Sequence, residues 1–191
     1  PGDGPASGYS KQKEGRILML VSCAKQRQLP YAAWKMAILE AAKFAKTAVA
    51  DDPSQDLMNL LAQDAEITGN ENVELVIGGK TLEELAEIAN KSTLLIALDG
   101  GGEHYLERYT NSITLYTSAV SVNWRPYSKN PYYETKIRGH ILERTTTSFG
   151  LKKIALYLDL PCRRCLGYYC RDMPCINSLD TSILGYAIKE S

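Results

Sequence analysis

Four cysteines stand close together near the end of the chain: Cys162, Cys165, Cys170 and Cys175, spaced C-x2-C-x4-C-x4-C. A CxxC pair in a turn supplies two soft ligands from one short loop, and two further thiolates complete the tetrahedron that zinc prefers. Four thiolates without a metal repel one another as they ionise. Zinc removes that repulsion and adds folding energy. The spacing therefore predicts one structural Zn2+ held by these four residues. Two disulfides, or unlinked thiols, are the alternatives. Five cysteines is an odd number, with Cys23 left over in an apolar segment, and this argues against a secreted disulfide scaffold.

The cysteine spacing resembles the zinc knuckle of retroviral nucleocapsid proteins, with Cys170 where that family has histidine. The resemblance covers 14 of 191 residues. It implies contact with single-stranded nucleic acid: Tyr168 and Tyr169 would stack on bases, and Arg163, Arg164 and Arg171 would meet phosphates.

A second resemblance begins just upstream. Ile154–Leu160 followed by Pro161-Cys162-Arg-Arg-Cys165 is similar to the strand-then-PCxxC element of zinc-dependent cytidine and adenine deaminases. In that family two cysteines and an upstream histidine or cysteine hold zinc, and a glutamate shuttles protons to the metal-bound water. The resemblance implies His140, Cys162 and Cys165 as ligands and Glu143 as the acid/base. Glu143 follows His140 by three residues, where the family has two.

The two histidines of the chain sit in similar words, His104-Tyr-Leu-Glu-Arg-Tyr-Thr-Asn-Ser112 and His140-Ile-Leu-Glu-Arg-Thr-Thr-Thr-Ser148. A duplicated element would bring His104, Glu107, His140 and Glu143 to one hydrolytic or metal site. Coincidence, or two strand edges with polar outward faces, is the favoured account, because one echo is not a repeat series. Gly100-Gly101-Gly102 follows an apolar run, but no Lys-Ser/Thr comes after it. This excludes a P-loop, and a flexible connection is expected there.

These residues need elements to hold them. Residues 1–15 read as a polar, Gly/Pro-rich tail. Arg16–Ser22 is expected as a strand, and Pro30 opens a helix running from Tyr31 to Val49. A second helix starts at Asp52-Pro53 and runs to Ala65. Val73–Ile77 reads as a strand. Thr81 and Glu84 form a capping box for a helix ending near Asn90, and Thr93–Leu98 is the next strand. After residue 102 the chain turns rich in Tyr, Thr, Val and Ile. Strands are expected at Ser112–Val122, Tyr132–Arg138, His140–Thr147, Lys153–Leu160 and Ser182–Ile188. The fold class expected is α+β: an α/β portion over 16–99, then a β-rich portion over 103–191 carrying the zinc-stapled loop. The two portions are compatible with one mixed domain.

Composition bounds the rest. Hydrophobic residues make up 45% and charged residues 23% of the chain, values of an ordinary folded protein. No apolar run reaches the roughly 18–20 residues of a membrane span, and no leader is visible, so an intracellular, cytoplasmic or nuclear protein is expected. The net charge of zero conceals segments of +5 (1–49), −10 (50–110) and +5 (111–191). That asymmetry fits an interaction surface or mutual neutralisation within the fold. The function expected from sequence is a zinc-binding regulatory or interaction protein, with single-stranded nucleic acid or a protein as partner. The alternative is a zinc-dependent nucleobase or nucleotide deaminase.

Overall fold

The computed structural model describes residues 15–21, 28–50, 56–117, 133–147, 149–162, 170 and 173–191. Eight strands form one sheet in the order β3-β2-β1-β4-β5-β8-β7-β6. They are β1 (Arg16–Leu20), β2 (Lys46–Ala50), β3 (Val73–Val76), β4 (Leu94–Leu98), β5 (Asn111–Leu115), β6 (Tyr133–Ile137), β7 (His140–Thr146) and β8 (Lys152–Leu158). The six strands from β3 to β8 run parallel, and β7 and β6 join antiparallel at the far edge. The expected α/β and β-rich portions thus share one continuous sheet.

Helices cover both faces. On one face lie α1 (Tyr31–Ala42), α2 (Asp56–Gln63), α3 (Ala65–Thr68) and the C-terminal α7 (Leu184–Glu190). Trp34, Ile38, Leu61, Ile67 and Leu184 pack there against Ile17, Met19, Val49, Ile96 and Ile113. On the other face α4 (Leu82–Lys91) and α5 (Gly101–Leu106) set Leu85, Ala89 and Leu106 against Leu18, Leu20, Ala48 and Leu95. Both faces of β1 and β4 are covered, so these strands read as unbroken apolar runs. A short helix, α6 (Pro174–Asn177), and a 3-10 turn at Thr181–Ile183 precede α7. No helix among the described residues is long and apolar enough to cross a membrane.

The capping box is present: Glu84 N–H donates to Thr81 Oγ1 at 3.2 Å and Thr81 N–H to Glu84 Oε2 at 2.8 Å. Three expectations are corrected. The helix from Tyr31 stops at Ala42, and Lys46–Ala50 is a strand buried between β1 and β3. Ser182–Ile188, expected as a strand, is helical and sets Leu184 and Ala187 on the core. Gly101 and Gly102 open α5 rather than forming a loose connection. Within the expected strand Ser112–Val122, residues 118–122 lie outside the described set.

Candidate functional site

From β1 the chain moves outward to β2 and β3, then returns past β1 to β4 and continues to β5 on the other side. The strand order therefore reverses between β1 and β4. In an open α/β sheet, loops leaving adjacent strands part at such a reversal and leave a crevice at the strands' carboxyl ends, where ligands bind. Here the crevice edge is formed by the end of β1 and by Asp99-Gly100-Gly101-Gly102 leaving β4. Gly102 lies against β1: a Cβ at this position would sit 3.0 Å from Leu20 Cδ2. The glycine therefore lets α5 close down on the neighbouring strand. The 12-residue α1 also begins at this end, with Pro30 at its N-cap, no capping side chain and no acidic residue in its first turn.

Beneath the glycine turn is a cluster of five ionisable side chains. Asp99 is 3% exposed and Glu103 is 1% exposed, while the His104 side chain keeps 27% of its surface in contact with solvent. His104 Nε2 is 3.2 Å from Asp99 Oδ1, and its Nδ1 is 3.3 Å from Glu103 Oε2 and 3.9 Å from Glu107 Oε1. Lys153, 2% exposed on β8, donates to Glu103 Oε1 at 2.8 Å and also to Glu107. Thr114 on β5 donates to the same Glu103 oxygen at 2.7 Å.

These contacts set the charges. The pairing with Asp99, then with Glu107, holds His104 up to about 9, although burial opposes it, so the ring is an imidazolium at neutral pH. Burial raises Glu103 even with Lys153 beside it. Burial works against ionised Glu107 too, but His104 and Lys153 outweigh it and lower the group. Burial alone would lower Lys153, and the two glutamates instead raise it. Tyr116, just after β5, is pushed far up by burial and by the surrounding carboxylates, so it stays a neutral phenol. Asp99, Glu103 and His104 bring ligand atoms within 4.8 Å of one another. A protonated His104 has no lone pair to give, so the group is a charge cluster before it is a metal centre. What the cluster holds at its solvent side is a partly exposed imidazolium paired with carboxylates.

The residues singled out from sequence fall elsewhere. His140 opens β7 and is 3% exposed. Its Nδ1 is 2.9 Å from the Arg138 carbonyl, and its Nε2 accepts from Asp180 N–H at 3.1 Å. Both ring nitrogens are engaged, so a metal would have to displace one of these bonds. Glu143 lies three residues along the same strand, on the opposite face, and accepts from Tyr157 at 3.0 Å. His104 lies on α5 and Glu107 is its C-cap, not a second copy of the β7 strand, so the repeated word adopts two different structures. Cys162 and Cys170 carry exposed thiols, and Cys175 is half-buried in α6. Cys165, Arg163, Arg164, Tyr168, Tyr169 and Arg171 lie outside the described residues, as does Cys23. Sequence reading missed Asp99, Glu103, Thr114 and Lys153. The available sign was the i, i+4 ladder Asp99, Glu103, Glu107 running out of a strand end.

No protein-family model matches the chain, and no curated protein matches it. Among solved structures, the fold is similar to that of E. coli heptosyltransferase WaaC with ADP-2-deoxy-2-fluoro heptose. The two share 12% identity with a TM-score of 0.54, over 94% of this chain and 44% of that chain. E. coli heptosyltransferase WaaC with ADP also aligns, at 19% identity and a TM-score of 0.43, over 54% of this chain and 33% of that chain. The likeness is one of fold alone. The chain spans less than half the length of the solved structures it matches. The class reached is a doubly wound α/β domain with a buried ion cluster beside its strand-order reversal.

Proposed function

We propose that this chain is a nucleotide-binding α/β domain that takes a nucleoside diphosphate or its sugar ester at the β1/β4 crevice. The observation that carries this reading is the Asp99–Gly102 turn at the strand-order reversal, with the His104 imidazolium beneath it. A diphosphate needs close backbone approach and positive charge. The glycine turn, the uncapped start of α1 and His104 offer both at one end of the sheet. The fold likeness to a heptosyltransferase holding an ADP-sugar analogue supports a glycosyl-transfer setting, in which the domain would hold the donor. Isothermal titration with ADP, UDP and their hexose esters tests the reading. A Kd below about 1 mM for at least one of them is expected, lost in Gly102→Val and weakened in His104→Gln. Absence of binding by all of them would remove the proposal.

A separate reading concerns the loop after β8. We propose that Cys162, Cys165, Cys170 and Cys175 hold one Zn2+ that staples this loop, with Arg163, Arg164, Tyr168, Tyr169 and Arg171 as candidate contacts to single-stranded nucleic acid or a protein. The spacing and the exposed thiols of Cys162 and Cys170 favour it. The deaminase alternative would instead use His140 with Cys162 and Cys165, and Glu143 as acid/base. Metal analysis of the parent and of His140→Ala separates the two. One zinc per chain in both supports the four-cysteine site, and zinc lost with His140 supports the deaminase.

A further inference from the structure

Five ionisable groups under one six-residue helix are an expensive way to fill space. Removing charges from water costs more than their attraction commonly returns, and apolar side chains of similar volume pack such a place as well or better. Lys153 is the extreme case. It is 2% exposed and comes from a strand two places from β4. Its ammonium group reaches both Glu103 and Glu107, the two carboxylates on α5 that compete with Asp99 for the His104 ring.

We infer that Lys153 is a positioning residue for the crevice: by pairing with Glu103 and Glu107 it weakens their hold on the ring and leaves His104 on Asp99, at the crevice edge, where an anionic ligand would meet it. The inference rests on the nucleotide reading for its ligand but not for its geometry. Without Lys153 the Nδ1 side of the ring faces two uncompensated carboxylates, and the ring is drawn along α5, away from Asp99. The local field also becomes more negative by one charge. Among the described residues the charged groups acting on His104 include Asp99 from the end of β4, Glu103 and Glu107 from α5 and its C-cap, and Lys153 from β8.

The test uses the two histidines of the chain, which give two resolvable imidazole titrations by NMR, assigned with His104→Gln. Lys153 opposes protonation of His104 and Glu107 favours it. The His104 midpoint should therefore rise by about one pH unit in Lys153→Met and fall by about the same in Glu107→Gln. ADP affinity at pH 7.5 should fall about tenfold in Lys153→Met. Glu107→Gln keeps the test alive if Lys153→Met does not fold. Unmoved midpoints would overturn the inference, because a side chain that only fills space lowers stability without moving His104. If the midpoints move as expected while the parent binds no nucleotide, the positioning holds and the nucleotide reading fails.

Discussion

The charge state of His104 makes a quantitative demand on stability. In the folded chain the ring titrates near 9 against an ordinary value of 6.5. A group whose folded value is raised contributes stability that is fully present below its unfolded value and is lost as pH climbs through the folded one. Each pH unit of difference is worth about 1.4 kcal/mol, so the full gap corresponds to about 3 kcal/mol. With 27% of the side chain exposed, solvent screening brings the expectation to about 2–3 kcal/mol. Urea unfolding followed by circular dichroism from pH 6 to pH 10 measures it. The parent should lose about 2–3 kcal/mol between pH 6.5 and pH 9.5. His104→Gln should lose correspondingly less over the same interval, since every other titrating group is common to both proteins. Equal losses in the two would refute an imidazolium at this position, and with it the charge that the nucleotide proposal requires.

Other expectations are more local. His140→Ala removes two hydrogen bonds that tie the β6–β7 turn to Asp180, so it should destabilise by about 2–4 kcal/mol, read by the same unfolding assay. Ile96→Ala, at the centre of the sheet and fully buried, should cost about 2–5 kcal/mol. Thr81→Ala breaks one arm of the α4 capping box and should cost about 1 kcal/mol, with faster amide exchange in the first turn of α4. Gly139→Ala forces a side chain into φ +74° in the β6–β7 turn and should destabilise by about 1 kcal/mol, whereas Gly101→Ala meets open space.

What could be read from the sequence was local chemistry. Thr81 and Glu84 announce their helix because the reciprocal bonds span three residues. Tyr132–Arg138 and His140–Thr147 were legible as strands, but the hairpin joining them shows only in the structure, where Arg138 and Gly139 both have positive φ. Short apolar runs were ambiguous. Lys46–Ala50 continues an alanine-rich helical pattern and becomes a strand only because β1 and β3 flank it. Leu184, Ala187 and Ile188 fit helical spacing as well as their β-branched neighbours fit a strand, and packing on α1 decides for the helix. The ion cluster was out of reach for another reason. Asp99, Glu103, Thr114 and Lys153 meet because β4, β5 and β8 lie side by side, and that order is set by tertiary pairing, not by any interval along the chain. His104 and His140 share a word of sequence but not a structure, since one lies on a helix over the sheet and the other within a strand.

The central claim is that ligand binding occurs at the carboxyl ends of the parallel strands. Amide chemical-shift mapping during titration with ADP tests it most directly. Saturable shifts are expected at Val21, at Asp99 through His104 and at Tyr116 and Thr117. None are expected at Thr146 and Lys152, which lie at the opposite end of the sheet. Shifts confined to that opposite end, or none at millimolar ADP, would contradict it.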